Sequence, residues 1–287
     1  MMDSILQVKQ LTKKYDTFSL KNVNLDVPKG SIVGFIGENG AGKTTTIKAI
    51  IGAIHKDQGE ILMFGKSLEK GAKELKQDIA VVMEGSFFHE ELTPLQIAKV
   101  LKSMYHRWND TVFEDYLTKF KLPATKKVKD FSKGMRMKLS ISIALSYDAK
   151  LLILDEPTSG LDPIVRNEIL DIFLDFIQDE ERSILLSSHI TTDLEKIADY
   201  ITFIHDGVIQ FSESKDDLIY NYGVLKCGVA EFDSIDSSVI VGYRKSQFNV
   251  EALVNNKHLA KEKYPNVLID PATIEDIMLY YVRGDKK

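Results

Sequence analysis

The sequence has one cysteine, no excess of positive charge and no long apolar segment. Cys227 is the one cysteine among 287 residues, so an intramolecular disulfide is impossible and nothing indicates an oxidising compartment. The net charge of −5 gives no electrostatic reason to expect nucleic acid as a partner. No apolar run approaches the ~20 residues that span a bilayer, and residues 1–11 lack the pattern of a signal peptide. We therefore expect a soluble, cytosolic chain that another polypeptide would have to hold at a membrane.

The hydrophobic pattern predicts an α/β fold that begins with antiparallel strands. Apolar and polar residues alternate between Ile5 and Val27, as they do in antiparallel β structure. Strand and helix patterns then alternate, and the run Leu151–Leu154 is continuously apolar, which is typical of a strand buried on both faces of a parallel sheet. Residues 93–149 have a helical pattern with few strand signals. We expect one domain over residues 1–220, with a helical subdomain at about residues 87–150.

The segment after about Asn221 differs in character from the rest. Its apolar runs are shorter, and it closes on a predicted helix from about Pro271 to Val282. We interpret residues 221–287 as a small appended α/β extension.

The most specific motif is a glycine-rich loop between a predicted strand, Ser31–Ile36, and a predicted helix, Lys43–Gly52. Residues 37–44 fit the phosphate-loop pattern G-x-x-x-x-G-K-[ST]. The glycines let backbone N–H groups approach phosphate oxygens, and the helix N-terminus adds partial positive charge. We expect Lys43 to reach the β- and γ-phosphates and Thr44 to offer its hydroxyl to Mg²⁺. The alternative, a chance glycine-rich turn, is disfavoured by the strand–loop–helix context.

The loop supplies most of the predicted nucleotide contacts. These are Gly37, Glu38, Asn39, Gly40, Ala41, Gly42, Lys43, Thr44 and Thr45.

Two consecutive acids end the apolar run Leu151–Leu154. Parallel sheets place ligand sites at the carboxyl ends of their strands, so Asp155 is expected to hold Mg²⁺ directly or through water. Glu156 is the candidate general base that activates the attacking water. Acids at a solvated strand end are the plain alternative, but the phosphate loop upstream favours the catalytic interpretation.

Together these residues resemble the ABC ATPase family, over about residues 5–219. Five further motifs agree with that family in order and spacing. They are Phe131-Ser132-Lys133-Gly134-Met135, similar to the L-S-G-G-Q signature; Ser159-Gly160-Leu161-Asp162, similar to the D-loop; His189 at the switch-histidine position; Tyr15 at the position of the adenine-stacking aromatic residue; and Glu84 at the Q-loop position.

The resemblance implies an ATP hydrolase with the family's fold, which has a RecA-like parallel-sheet core, an N-terminal antiparallel β subdomain and an α-helical signature subdomain. It also implies that two such domains meet head to tail. Each ATP would lie on the phosphate loop of one domain and under Ser132 and Gly134 of the other.

The resemblance completes the predicted site. The catalytic residues are Lys43, Glu156 and His189, of which His189 would contact the γ-phosphate. Tyr15, Ser132, Gly134 and Asp162 join the nucleotide contacts. Glu84 joins Thr44 and Asp155 as a Mg²⁺ ligand. The implied cofactors are ATP and Mg²⁺.

Two departures from the usual family motifs indicate a subfamily. Lys133 and Met135 replace the usual Gly and Gln of the signature, and Glu84 replaces the common Gln. These features, with the closing sequence of residues 272–278, look like bacterial exporter ATPases that pair with ABC-2-type permeases. The resemblance implies attachment to the inner face of the cell membrane through a permease, and export of peptide, antibiotic or amphipathic cargo.

The expected permease contact lies at about residues 85–105. Phe87, Phe88 and Leu92 are apolar residues in a stretch that we expect to be exposed on the isolated chain. The alternative is that these side chains fill the core of the helical subdomain.

Other functions stay open at this point. A regulatory subunit could bind ATP with little hydrolysis, and a soluble ABC ATPase of translation or DNA repair could share the motifs. The latter class usually carries two ATPase domains or a long coiled coil, and this sequence has neither. The choice between homodimer and heterodimer is also open.

Overall fold

The computed structural model describes residues 3–67, 74–83, 85 and 89–287. Its strands are β1 (Ser4–Lys14), β2 (Ser19–Pro28), β3 (Ile32–Ile36), β4 (Gln58–Met63), β5 (Lys66–Ser67), β6 (Ile79–Val82), β7 (Leu151–Asp155), β8 (Ser183–Ser188), β9 (Tyr200–His205), β10 (Val208–Ser214), β11 (Gly223–Gly228), β12 (Ile240–Lys245), β13 (Asn249–Val254) and β14 (Leu268–Pro271). Its α-helices are α1 (Lys43–Ile50), α2 (Pro94–Lys102), α3 (Asp110–Lys119), α4 (Lys133–Ala144), α5 (Pro163–Phe176), α6 (Thr191–Ile197), α7 (Lys215–Asn221), α8 (Val229–Phe232), α9 (Lys257–Lys263) and α10 (Ile274–Arg283).

An antiparallel sheet with the order β2-β1-β4-β5 forms the first layer. In β2 the apolar residues Leu20, Val23, Leu25 and Val27 are buried, whereas the polar residues between them are exposed. This alternation places one face of the sheet on the core. The antiparallel start expected from the sequence is confirmed.

The central sheet has six strands in the order β10-β9-β3-β8-β7-β6. Strands β9, β3, β8, β7 and β6 are parallel to their neighbours, and β10 returns antiparallel to β9. Every residue of β3, β7 and β8 is buried, which explains their continuous apolar runs. The carboxyl ends of these three strands meet at one edge of the sheet, where the candidate site lies.

Helices α2, α3 and α4 occupy the stretch between β6 and β7. Their apolar faces pack together through buried residues such as Phe113, Leu117 and Leu139. Leu92 packs partly buried against this same cluster, which favours the core interpretation for that residue. Phe87 and Phe88 lie outside the described residues.

The last part of the chain forms a third sheet with the order β12-β13-β11-β14. One face contributes to a small cluster of its own that contains Leu225 and Val250. On the other face, Val224 and Leu253 join the large cluster that runs through the central sheet. The extension therefore shares a hydrophobic core with the rest of the molecule.

The closing helix begins later than the sequence pattern predicts. Pro271 ends β14 and is paired with Gly223, so it is not helical. Thr273 instead caps α10, because its hydroxyl accepts from the N–H of Asp276 while the Asp276 carboxylate accepts from the N–H of Thr273.

No helix in the described ranges is long and apolar enough to cross a membrane.

Candidate nucleotide-binding site

The glycine-rich loop joins the end of β3 to the start of α1, as the motif requires. Gly42 has φ +115° and Gly40 has φ +85°, conformations that favour glycine. A Cβ atom at Gly37 would lie 2.5 Å from the carbonyl oxygen of Ile204 on the neighbouring strand β9. The loop can therefore keep this path only with glycine at these positions.

Lys43, the first residue of α1, is buried and turns its ammonium back over the loop. Nζ donates to the carbonyl oxygen of Gly37 at 2.7 Å and to that of Glu38 at 3.3 Å. It also lies 3.3 Å from Oε1 of Glu156. The loop thus holds a cation at its centre, which is available as a ligand for a phosphate.

Thr44 and Asp155 meet beside the loop. The Thr44 hydroxyl donates to Oδ2 of Asp155 at 2.8 Å, and the hydroxyl of Ser187 on β8 donates to Oδ1 at 2.5 Å. Asp155 is buried, and both of its oxygens have partners. The hydroxyl and carboxylate oxygens form a hard donor set of the kind that Mg²⁺ prefers.

Glu156 follows with a left-handed backbone, φ +53°, and its N–H donates to the carbonyl oxygen of Ser187 at 3.1 Å. Its Oε2 lies 2.7 Å from Nδ1 of His189. Its Oε1 is buried without a hydrogen-bond partner in the part of the chain that the structure describes. The carboxylate therefore lies between the ammonium of Lys43 and the imidazole of His189.

A second group of predicted residues lies at the start of two helices. Ser132 caps α4 by accepting from the N–H of Met135 at 3.2 Å, and Asp162 caps α5 by accepting from the N–H of Ile164 and Val165 at 3.1 and 3.0 Å. A Cβ at Gly134 would contact Leu161 of the D-loop at 3.7 Å. The signature and the D-loop thus form one surface.

The remaining predicted contacts are residues of the loop, its neighbour Thr45, and Tyr15. Tyr15 is half exposed in the turn between β1 and β2, and the Lys13 ammonium lies 5.5 Å from its ring centroid. Glu38 and Asn39 are exposed, Ala41 is buried and Thr45 is half buried. Glu84 lies outside the described residues.

Sequence reasoning missed two side chains at this site. Ser187 donates a hydrogen bond to Asp155. Its position at the end of a strand beside β7 in a parallel sheet could have indicated this contact. Arg283 of α10 lies 3.4 Å from the Glu38 carboxylate. No local pattern links residues 245 positions apart.

Comparisons with known proteins all find relatives of one kind, the ATP-binding proteins of transporters. The family model described as "ABC transporter" matches residues 20–159. The chain is 36% identical over 211 residues to the bacitracin transport ATP-binding protein BcrA of Bacillus licheniformis, covering 72% of this chain and 68% of that one. It is 37% identical over 215 residues to the lantibiotic transport ATP-binding protein SrtF of Streptococcus pyogenes, covering 74% and 92%.

A solved structure of an ATP-binding subunit of an ABC transporter superposes with a TM-score of 0.68 at 31% identity, over 75% of this chain and 92% of that one. The expected fold class and the expected family are both confirmed. The chain is an ATP-binding subunit of the ABC transporter family.

Proposed function

We propose that this chain hydrolyses ATP with Glu156 as general base, Lys43 as phosphate ligand and His189 as the γ-phosphate contact. The observation that carries the proposal is the position of the Glu156 carboxylate, between Nζ of Lys43 at 3.3 Å and Nδ1 of His189 at 2.7 Å. When the phosphates of ATP bind the ammonium of Lys43, that ammonium no longer pairs with the Glu156 carboxylate. Glu156 can then accept the proton of the attacking water while His189 orients the carboxylate.

Thr44 and Asp155 fit a Mg²⁺ ion, because their facing oxygens form a hard donor set at one edge of the phosphate loop. When bound, the ion would neutralise charge on the β- and γ-phosphates. Ser187 would keep Asp155 oriented through its 2.5 Å hydrogen bond. Glu84 is the third proposed ligand.

The signature surface supports a head-to-tail dimer. Ser132, Gly134 and Asp162 share one face at the N-termini of α4 and α5, where helix dipoles favour an anion. We propose that this face of one copy, or of a similar subunit, covers the ATP on the phosphate loop of the other. Binding of ATP would then shift the population from open to closed dimers.

We also propose the division into an ATPase domain, residues 1–220, and an extension, residues 221–287. The chain would work at the cytoplasmic face of a membrane, bound to an ABC-2-type permease. The bacitracin and lantibiotic relatives support export of a peptide or antibiotic cargo.

Helix α2 and the edge strand β6 support a permease contact near residues 85–105. Val100 and Met104 are 52% and 58% exposed, and Val81 of β6 is 37% exposed. Between α2 and β6 lies a cavity of about 470 Å³, whose wall includes Leu101 and Tyr105. An amphipathic segment of a permease could bury this apolar surface.

The permease proposal is tested with Val100→Glu and Met104→Glu, which place a charge on the proposed surface. Both should reduce co-purification with an ABC-2-type permease that is co-expressed with this chain. Leu268→Glu is the matched control, since Leu268 is an exposed apolar residue of the extension. If Leu268→Glu lowered co-purification as much as Val100→Glu and Met104→Glu, the assignment of the permease contact to this surface would be wrong.

The hydrolysis proposal is tested by Lys43→Ala, with Lys48→Ala as control on the exposed face of the same helix. Lys43→Ala should lose ATP binding and phosphate release, whereas Lys48→Ala should keep both. A wild-type chain that binds ATP but releases no phosphate in the presence of Mg²⁺ would favour the regulatory alternative.

A further inference from the structure

The C-terminal helix α10 lies beside the phosphate loop. A cavity of about 420 Å³ separates it from the phosphate loop and from the segment that follows the switch histidine. Glu38 and His189 line one side of this cavity, and Met278, Val282 and Arg283 line the other. The extension therefore borders the place where the terminal phosphate of ATP is expected.

Helix α10 is firmly held in this position. Its Ile274 N–H donates to Oε1 of Glu195 on α6 at 3.0 Å, and Ile274 and Ile277 are fully buried. Near its end, the ring of Tyr281 packs against Phe211 with centroids 5.2 Å apart. Because both ends are anchored to the ATPase core, the last turn presents Arg283 at a defined place.

Arg283 forms an ion pair with Glu38 of the phosphate loop. An Nη atom lies 3.4 Å from Oε1 of Glu38, and the two side chains are 64% and 46% exposed. An exposed pair of this kind contributes little to folding stability. The pair also bears on phosphate binding, because Glu38 places a negative charge on the loop that is expected to bind the anionic phosphates.

We propose that Arg283 is a positioning residue that neutralises Glu38 and thereby sets the affinity of the phosphate loop for ATP. The extension would thus be part of the nucleotide site, although it lies beyond the motifs that bind the nucleotide. The inference rests on the proposed ATP site and adds a determinant of its affinity.

Removing the positive charge of Arg283 should weaken ATP binding. Without Arg283, the Glu38 carboxylate faces the phosphates unscreened, and affinity for ATP should fall on the order of fivefold at low ionic strength. The loss should shrink at high salt, where screening acts on both partners. KM for ATP should rise with a smaller change in kcat, since the group acts on binding and not on the attacking water.

The test measures binding of a fluorescent ATP analogue to the full chain without Mg²⁺, at about 50 mM and about 500 mM salt, alongside steady-state hydrolysis. R283Q should bind about fivefold more weakly at low salt, and R283K should retain most of the affinity. The double variant E38Q/R283Q should bind more tightly than R283Q, because the charge that Arg283 offsets is gone. Lys263→Gln is the control, as it removes a cation from an exposed ion pair with Asp236 elsewhere in the extension.

Two results would overturn the inference. One is wild-type affinity in R283Q at low salt. The other is an affinity of the double variant for the ATP analogue as low as that of R283Q. That result would mean that affinity depends on the conformation of the end of α10 and not on the charge. Lys43→Ala separates this failure from that of the proposed function. If Lys43→Ala abolishes ATP binding and R283Q leaves it unchanged, only the inference about Arg283 is wrong. If Lys43→Ala leaves ATP binding unchanged, the assignment of the ATP site is itself wrong.

Discussion

Replacing Glu156 by Gln tests the chemistry of the site most directly. The substitution keeps the volume of the side chain and a hydrogen-bonding group beside His189, which lies 2.7 Å away. It removes the negative charge that faces Lys43 at 3.3 Å. Lys43 keeps its two carbonyl partners in the loop, so the site should stay assembled.

The expected loss is large because the adjacent carboxylate is already engaged and cannot replace the base. Asp155 is the adjacent carboxylate, but both of its oxygens accept hydrogen bonds, from Thr44 and from Ser187. A general base contributes about 10²–10⁴-fold to the rate, and we expect a loss of about 10³-fold, or about 4 kcal/mol in activation free energy. ATP binding should be maintained or tightened, since a negative charge near the phosphates is gone.

Three measurements on the full chain separate binding from chemistry. Phosphate release with MgATP gives turnover, a fluorescent ATP analogue gives affinity, and size-exclusion chromatography with ATP gives dimer formation. Glu156→Gln should bind ATP, form dimers and barely release phosphate. Glu181→Gln is the control, because Glu181 is exposed and pairs with Lys29, away from the site. Turnover in Glu156→Gln within a few-fold of the wild type would refute the assignment of Glu156 as base.

Substitutions at Thr44 and Asp193 and alkylation of Cys227 test three other contacts of the molecule. Thr44→Ala should raise the Mg²⁺ concentration for half-maximal hydrolysis about tenfold by removing an oxygen beside Asp155, and an unchanged requirement would contradict the metal assignment. Asp193→Leu should destabilise the chain by about 2 kcal/mol in thermal unfolding, because Arg166, 3.8 Å away and partly buried, loses its counter-charge; Arg166→Met in the same chain should recover most of that loss. Burial raises the pKa of the Cys227 thiol, so less thiolate forms at pH 8 and alkylation should be slow in the folded chain and fast after unfolding. A fast reaction before unfolding would show that the thiol is exposed.

Local sequence patterns predicted the elements that carry the site, because buried parallel strands have a simple signature. The run that ends in Asp155 and Glu156 and the loop before Lys43 are each defined by neighbouring residues.

The contacts between elements could not be predicted in this way. The placement of Glu156 between Lys43 and His189 requires three strands to end at one edge, and the partner of each side chain depends on strand order. The contact between Arg283 and Glu38 is harder still to predict from the sequence, because it depends on how the third sheet packs on the core. The start of α10 was predicted too early because Pro271, which often opens helices, here ends a strand.

The third sheet shares a hydrophobic core with the ATPase domain, so the chain cannot be truncated between them without exposing apolar side chains. Val224 and Leu253 are buried among residues of the ATPase core, so a chain truncated after residue 220 would expose an apolar surface to water. Such a fragment should aggregate and not behave as a minimal ATPase. The two parts should also melt in one cooperative transition, since neither can unfold without uncovering the other. A boundary drawn from motifs thus need not be a boundary of folding.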